Sequence, residues 1–246
     1  MNSTDLFSTL AHRFGQLYSK LMPTPCLLCG LLCGTGNKGD CLCPACCDQL
    51  PRLGLACPRC ASPLQQTMLC GSCLNRPPEQ NASFSLFRYQ SPIDRLIVDL
   101  KYHDALVLSQ FFADQMAEQL KEHSLPQLLI PIPLHPRRLR ERGYNQSLEL
   151  AKQLSKQLNI PVRHDILMRI KDTPPQASLP FAERKDNMKE AFQINNADIP
   201  DHVALIDDVL TTGHTVNVAA KVLRKIGVKN IEVWTVARTI KNDHSP

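Results

Sequence analysis

The stretch VALIDDVLTTGHT, residues 203–215, decides how the fold of this chain is interpreted. It begins with small and branched apolar side chains, which are typical of a buried strand. Two adjacent carboxylates follow, Asp207 and Asp208, and then a Thr-rich turn around Gly213. The pattern predicts a strand that carries two acids at its carboxyl end, followed by a loop and the start of a helix.

The predicted loop has the chemistry of a sugar-phosphate site. Ligands of open parallel sheets bind beyond the carboxyl ends of the strands, and the free N–H groups of a helix N-terminus attract phosphate. The carboxylates would accept hydrogen bonds from ribose hydroxyls, while the glycine and the Thr hydroxyls would hold the phosphate. The candidate binding residues are Asp207, Asp208, Thr211, Thr212, Gly213, His214 and Thr215. An Asp-rich turn that only caps a helix is the alternative.

The sequence around this stretch alternates between strand and helix patterns. Besides the strand at 203–207, short apolar runs predict an edge strand at 84–89 and further strands at 127–133 and 231–237. Apolar residues recur at helical spacing over residues 93–100, 108–120, 148–158 and 216–226. Alternating strands and helices imply right-handed crossovers. We therefore expect an α/β fold, a doubly wound parallel sheet with helices on both faces.

Length and charge limit the possible classes of protein. A chain of 246 residues has room for one α/β domain and a smaller module. The net charge of +5 permits phosphate or nucleic-acid partners and requires neither. No window approaches the roughly 18 to 20 apolar residues of a membrane span. Residues 1–25 predict an amphipathic packing helix rather than a signal peptide or a helix on a membrane surface, so we expect a cytoplasmic protein.

The cysteines indicate metal binding. All 11 lie between Cys26 and Cys73, and eight of them form Cys-x-x-Cys pairs. Two such pairs supply the four thiolates of a tetrahedral zinc site, and zinc can stabilise a small module that lacks an apolar core. Redox pairs are the alternative. The candidate ligands are Cys26, Cys29, Cys43, Cys46, Cys57, Cys60, Cys70 and Cys73.

The spacing leaves the pairing of these cysteines open. Consecutive pairing gives two zinc ribbons in series, and we favour it because each site then closes a short loop. Interleaved pairing would give a cross-braced module. Cys33, Cys41 and Cys47 remain outside either scheme. Because Pro77 and Pro78 follow the cysteines, we expect three parts: the helix at 1–25, a double zinc ribbon at 26–78 and an α/β domain at 79–246.

Residues 203–215 resemble, position by position, the signature of type I phosphoribosyltransferases. The segments PIPLHPRRLRERGYNQS at 131–147, DTPPQASL at 172–179 and ERKDNMKEAF at 183–192 are, with the cysteine module, similar to the ComF family of competence-associated and GntX-type proteins. The resemblance covers most of the chain. It implies a sheet of the type I phosphoribosyltransferase kind and a site for phosphoribosyl pyrophosphate bound with Mg²⁺.

The resemblance also implies roles for two basic segments. Residues 135–145 would hold pyrophosphate, and residues 169–191 would form a hood over the site. Arginine engages phosphate oxygens in bidentate fashion, which suits both roles. The candidates are Arg137, Arg138, Arg140, Arg142, Arg184 and Lys185. A solvated basic loop, or a surface for nucleic acid, is the alternative for residues 135–145.

Two functions follow from these expectations. The first is transfer of phosphoribose to an unidentified acceptor, with catalysis by positioning and by stabilisation of the leaving diphosphate; no residue is assigned as a nucleophile. The second, which the resemblance implies, is a non-catalytic component of the DNA-uptake machinery that binds single-stranded DNA and other uptake proteins. Carboxylates beside a phosphate site repel a polyanion, so the Asp207–Asp208 pair favours the first function.

Overall fold

The computed structural model describes residues 24–33, 41–102, 105–171, 191–195 and 198–240. The chain divides into two compact units, Met1–Leu50 and Pro51–Pro246. In the first unit, strand β1 (Thr24–Pro25) pairs antiparallel with β2 (Leu32–Cys33), and a short helix α1 (Pro44–Asp48) follows. Nearly all of the helix predicted at 1–25 lies outside the described residues.

The second unit alternates strands and helices, as predicted. Its elements are α2 (Gly71–Asn75), β3 (Ala82–Arg88), α3 (Ile93–Tyr102), α4 (Val107–Leu120), β4 (Leu128–Pro131), α5 (Pro136–Arg142), α6 (Gln146–Leu158), β5 (Leu167–Arg169), β6 (Phe192–Ile194), β7 (His202–Leu210), α7 (His214–Lys225) and β8 (Asn230–Arg238). Among the helices in the described ranges, none is long and apolar enough to cross a bilayer.

Four of these strands form a parallel sheet in the order β3-β8-β7-β4. The stretch that predicted the fold is therefore a central strand, and the predicted edge strand β3 lies at an edge. Strand β7 is longer than expected, because β8 continues beside it and pairs Asp207 with Thr235 and Leu210 with Arg238. The two acids consequently lie in the last paired part of the strand rather than after it.

Apolar side chains cover both faces of the sheet. On one face, Val203 and Leu205 belong to a buried cluster that includes Ala219 and Leu223 of α7. Side chains alternate along a strand, so Ala204 and Ile206 point to the opposite face, against which α6 packs. This arrangement confirms the expected α/β class with helices on both faces.

The second cysteine segment packs in the same unit as the sheet. Leu53 and Ala61 are buried members of the cluster beneath α7. The N–H of Leu53 donates to the carbonyl of Leu86 at 3.0 Å, and that of Ser83 donates to Pro58 at 2.8 Å. Packing thus joins residues 51–78 to the sheet, and the division at residue 78 stays a prediction.

Candidate functional site

The carboxylate of Asp208 lies almost completely buried at the end of β7, with 5% of the residue exposed. Its partner is the ammonium of Lys101, which comes from the last turn of α3 and forms an ion pair with Oδ2. The other oxygen, Oδ1, accepts a hydrogen bond from the backbone N–H of Val209 at 2.8 Å. A cation far away in the sequence therefore holds this acid in a fixed orientation.

Asp207 is held by a hydroxyl from the start of α6. The Oγ of Ser147 donates to Oδ1 of Asp207 at 3.0 Å, and the N–H of Asp208 donates to the same oxygen at 3.0 Å. Ser147 is itself fixed by Asn145, whose side chain caps α6 through the N–H of Ser147 at 3.0 Å and donates to the carbonyl of Ile132 at 3.0 Å. The residues after β4 thereby position the contact to Asp207.

Burial and neighbouring charges shift the pKa values of Asp207 and Lys101. Burial, together with the neighbouring carboxylate of Asp208, raises the pKa of Asp207 to about 7. Burial acts to lower the pKa of Lys101, but Asp208 and Asp207 outweigh it and raise that pKa above its usual value. Among the described residues, two carboxylates and the ammonium of Lys101 thus lie together at this end of β7. Added positive charge or hydrogen-bond donors would favour the ionised form of Asp207.

A tight turn joins the acids to helix α7. Gly213 has a φ of +76°, the left-handed conformation that favours glycine, and it caps the helix. Thr211 and Thr212 are exposed, and the Oγ1 of Thr212 accepts from the N–H of His214 at 3.4 Å. The expected loop is shorter than predicted, because residues 209–210 extend β7 and residues 214–215 begin α7.

The first turn of α7 has the backbone geometry that attracts anions at helix N-termini. A helix of 12 residues begins at His214, directly after the glycine, so its first N–H groups face the turn. His214 is half-buried, and burial lowers the pKa of its imidazole, which favours the neutral form. Thr215 lies in the first turn of the helix and is also half-buried. The structure thus brings all seven predicted binding residues to one end of the sheet.

Most of the basic segment after β4, residues 135–145, forms helix α5. Its start is favoured by Pro136 and by His135, whose Nδ1 accepts from the N–H of Arg137 at 3.3 Å, and its end by Gly143 in the left-handed conformation. The role of this segment as a pyrophosphate site stays a prediction.

The arginines of α5 differ in their surroundings. Arg137 forms an ion pair with Glu141 at 2.9 Å, and Arg140 is exposed. Arg142 donates to Gln146 at 2.6 Å and lies over the ring of Tyr102, 4.7 Å from its centroid. The hood residues Arg184 and Lys185 lie outside the described residues.

The eight Cys-x-x-Cys residues form two clusters, and the pairing is the consecutive one that we favoured. In each cluster the four sulfurs lie within 4.8 Å of one another. Two sulfur separations are 3.8 Å, between Cys29 and Cys43, and 3.6 Å, between Cys60 and Cys70. Bonds of about 2.3 Å in a tetrahedral Zn–S₄ centre place sulfurs roughly 3.8 Å apart. Both clusters therefore fit zinc.

Backbone geometry explains how each cluster forms. In the first cluster, the pair at Cys26 lies in a turn that closes at Gly30, and the pair at Cys43 begins just before α1. In the second cluster, the pair at Cys57 lies in a turn that closes at Ala61, and the pair at Cys70 begins just before α2. Backbone N–H groups outweigh burial and lower the pKa of Cys26 to about 6 and that of Cys57 to about 7. In contrast, burial raises the pKa of Cys41, which is in neither cluster, to about 12. Cys33 and Cys47 also lie outside the two groups.

The patterns in the sequence did not identify three residues that hold the site. Lys101 and Ser147 contact the two acids, and Arg238 contacts the turn that follows them. The Nη1 of Arg238 donates to the carbonyl of Leu210 at 2.7 Å and also to that of Thr211. All three act on residues distant in sequence. A lysine or serine at a helix end carries no local signal of such contacts.

Comparison with known proteins shows what the chain is similar to. A profile of the phosphoribosyl transferase domain matches residues 145–244. Competence protein F of Haemophilus influenzae is 36% identical over 207 residues, which cover 80% of this chain and 90% of that protein. DNA utilization protein YhgH of Shigella flexneri is 32% identical over 227 residues, which cover 89% of this chain and 99% of that protein.

Among solved structures, the purine phosphoribosyltransferase of Pyrococcus horikoshii is 21% identical, covers 55% of this chain and 88% of its own, and has a TM-score of 0.33. The domain match and the parallel sheet with its cysteine clusters agree with the expected fold class.

Proposed function

Because the chain belongs to the ComF family of competence and DNA utilization proteins and contains a phosphoribosyl transferase domain, we propose that it binds phosphoribosyl pyrophosphate and transfers phosphoribose to an acceptor. The observation that carries the proposal is the arrangement of Asp207 and Asp208 before the turn at Gly213 and the start of α7. It offers acceptors for ribose hydroxyls beside donors for a phosphate.

The residues of this site would act by binding and orientation. Asp208, held by Lys101, and Asp207, held by Ser147, would accept hydrogen bonds from the ribose hydroxyls. The N–H groups of the turn and of α7 would bind the 5′-phosphate. The reaction breaks the bond between C1 of the ribose and the diphosphate, so fixing the sugar lowers the entropy cost of the displacement.

The leaving diphosphate requires positive charge. Mg²⁺ bound with the substrate would neutralise the diphosphate, and a site with two carboxylates suits the oxygen ligands that this ion prefers. The arginines of α5, Arg137, Arg138, Arg140 and Arg142, would add further positive charge. The hood residues Arg184 and Lys185 are proposed for the same role from the family resemblance alone. We propose no catalytic nucleophile.

The two cysteine clusters are proposed to hold structural zinc. Their sulfur separations match a Zn–S₄ centre, and each cluster offers four protein ligands, which leaves no coordination position for substrate. Zinc would therefore stabilise the two segments rather than take part in the transfer.

Calorimetric titration with phosphoribosyl pyrophosphate and Mg²⁺ tests the proposal. The variant Asp207→Asn/Asp208→Asn keeps size but removes the negative charge and one acceptor oxygen of each side chain. Hydrogen bonds to charged groups contribute roughly 1.5 to 3 kcal/mol each, so affinity should fall at least tenfold, about 1.4 kcal/mol. The matched control is Asp165→Asn/Asp201→Asn, which removes two surface acids that pair with Arg163 and Lys229. This control should bind like the parent protein.

Absence of binding by the folded, zinc-loaded parent would contradict the proposal. Equal affinity of the site variant and the parent would show that the two acids do not contribute to binding of the ligand. Turnover is a separate measurement: release of pyrophosphate in the presence of candidate acceptors would identify the substrate that receives phosphoribose.

A second candidate function is binding of single-stranded DNA in DNA uptake. The observations that favour it are the exposed basic face of α5 and the names of the relatives, competence protein F and DNA utilization protein. The two functions are compatible, because the arginines of α5 could contact the phosphates of either ligand. We propose the cytoplasm as the location for either.

A further inference from the structure

The guanidinium of Arg238 joins the second cysteine cluster to the turn of the candidate site. Arg238 lies at the carboxyl end of β8, and only 7% of the residue is exposed. On one side, Nε donates to the carbonyl of Cys60 at 3.0 Å. On the other, Nη1 donates to the carbonyls of Leu210 and Thr211. One rigid, planar group thus spans two segments that have no covalent connection nearby.

On the cluster side, Arg238 contacts the turn that carries a metal ligand. Cys60 is one of the four sulfurs, and its Sγ lies 3.2 Å from the Oγ of Ser62. The Nη2 of Arg238 approaches the same hydroxyl at 3.5 Å. Ala61, between these residues, is fully buried with a φ of +54°. Because an alanine rarely adopts this conformation, closure of the turn depends on what holds its two ends.

On the ligand side, Arg238 fixes the first residue of the turn. The carbonyl of Thr211 accepts a hydrogen bond from the guanidinium. The backbone supports the same placement, since the N–H of Thr239 donates to Leu210 at 3.1 Å. The position of residues 211–213 is therefore tied to the position of Cys60.

A lysine could not replace this link. An ammonium on a flexible chain is a single point charge, whereas the guanidinium presents donors in a fixed fork that reaches both sides at once. Loss of metal from the second cluster would release Cys60 and with it one anchor of the guanidinium. The turn would then lose a restraint without any change in its own sequence.

We propose that Arg238 is a positioning residue that makes the order of the turn at residues 211–213 depend on metal bound by Cys57, Cys60, Cys70 and Cys73. In the part that concerns ligand affinity, this inference rests on the proposed function. The dependence of the turn on the metal is a property of the ligand-free protein and stands separately.

Hydrogen exchange of the ligand-free, zinc-loaded protein tests the link. Arg238→Lys should retain both zinc ions, yet amides in a peptide spanning residues 209–216 should exchange at least tenfold faster than in the parent. The matched control is Arg224→Met. Arg224 also bridges segments, through the carbonyls of Glu79 and Val228, but contacts neither the cluster nor the turn. Exchange of the 209–216 peptide in this control should match the parent.

Variants that lose a single metal site provide a second test of the link between metal and turn. Cys60→Ser should lose one zinc and show the same fast exchange of the 209–216 peptide. Cys29→Ser removes zinc from the first cluster instead and should leave that exchange unchanged. If Cys60→Ser does not fold, hydrogen exchange of the 209–216 peptide in Arg238→Lys still tests the proposal. Unchanged exchange in Arg238→Lys would overturn the proposal, and so would loss of zinc from that variant, because Arg238 would then only support the cluster.

Ligand binding supplies the last readout. Arg238→Lys should bind phosphoribosyl pyrophosphate with Mg²⁺ about tenfold more weakly than the parent, and Arg224→Met should differ from it by less than twofold. Equal affinity of Arg238→Lys and the parent would overturn the part that concerns the ligand. If the parent itself binds no phosphoribosyl pyrophosphate, the proposed function fails, while the exchange measurements still decide whether metal and turn are linked.

Discussion

The ammonium of Lys101 and the carboxylate of Asp208 form an ion pair at the end of the central strand. The carboxylate side chain is 7% exposed and the lysine side chain 21%. Because the acid is so deeply buried, the ammonium of Lys101 and the N–H of Val209 take the place of water around its carboxylate. The two contacts thereby hold the side chain of Asp208 in one orientation.

Substitution of Lys101→Met should destabilise the protein by about 2 kcal/mol near pH 7. Removing one partner of a fully buried pair costs roughly 3 to 5 kcal/mol, and partial exposure of Lys101 reduces that figure. Denaturant unfolding of the parent, the single variants and Lys101→Met/Asp208→Asn gives a double-mutant cycle. The double variant should be more stable than Lys101→Met alone. Additive effects would show that the two groups do not stabilise each other.

Asp207 should make the stability of the ligand-free protein fall with rising pH. Its pKa is about 7 in the folded state and about 3.9 in an unfolded chain, so the folded state binds the proton more tightly. Between about pH 4 and pH 7, the unfolding free energy of the parent should therefore fall by up to about 1.4 kcal/mol per pH unit relative to that of the Asp207→Asn variant. Unfolding free energies of both proteins at several pH values measure the difference. A difference that is constant with pH would contradict a raised pKa.

Gly213→Ala should reduce both stability and ligand affinity. The φ of +76° disfavours any L side chain by roughly 1 to 2 kcal/mol, although the new Cβ would meet Leu210 only at 3.7 Å, an ordinary contact. Gly227→Ala is the matched control, since Gly227 has a φ of +99° and follows α7 at its other end. Both variants should unfold more easily. Only Gly213→Ala should bind phosphoribosyl pyrophosphate more weakly, by at least tenfold, in calorimetric titration.

Protein purified under reducing conditions without chelator should contain two zinc ions per chain. Elemental analysis should find one in Cys29→Ser and two in Cys41→Ser, because Cys41 lies in neither cluster. Zinc should be released as the pH is lowered, since protons compete with the metal for the cysteine thiolates. Zinc-free parent protein in which all 11 cysteines are reduced would contradict the assignment.

Binding of single-stranded DNA should be weak and sensitive to salt. Replacing Arg137, Arg138, Arg140 and Arg142 by Ala should lower the slope of log K against log salt concentration by as much as about 3, or roughly 0.7 for each lost phosphate contact. The matched control replaces four exposed cations elsewhere, Lys152, Lys156, Lys221 and Lys225, which gives the same change in net charge. Equal slopes for the two variants would show that α5 is not a specific DNA-binding surface.

The sequence by itself determined the order and class of the elements. Apolar residues at a period of two or of 3.6 show which face of an element is buried, and that information is local. Strand β7, helix α7 and the edge strand β3 were predicted for this reason. The consecutive pairing of the cysteines was favoured from loop length alone. The acids and Gly213 were recognised because their residue types and spacing carry the chemistry.

Only the tertiary structure decided which distant residues support the site. Helix α3 brings Lys101 to Asp208, and the end of β8 brings Arg238 between Cys60 and Thr211. The partners of Arg238 are backbone carbonyls, which every residue type has, so no pattern of side chains could identify them. Likewise, β7 extends past its acids because β8 supplies hydrogen bonds beside it. Such contacts depend on how elements pack in three dimensions, and the local sequence does not encode that packing residue by residue.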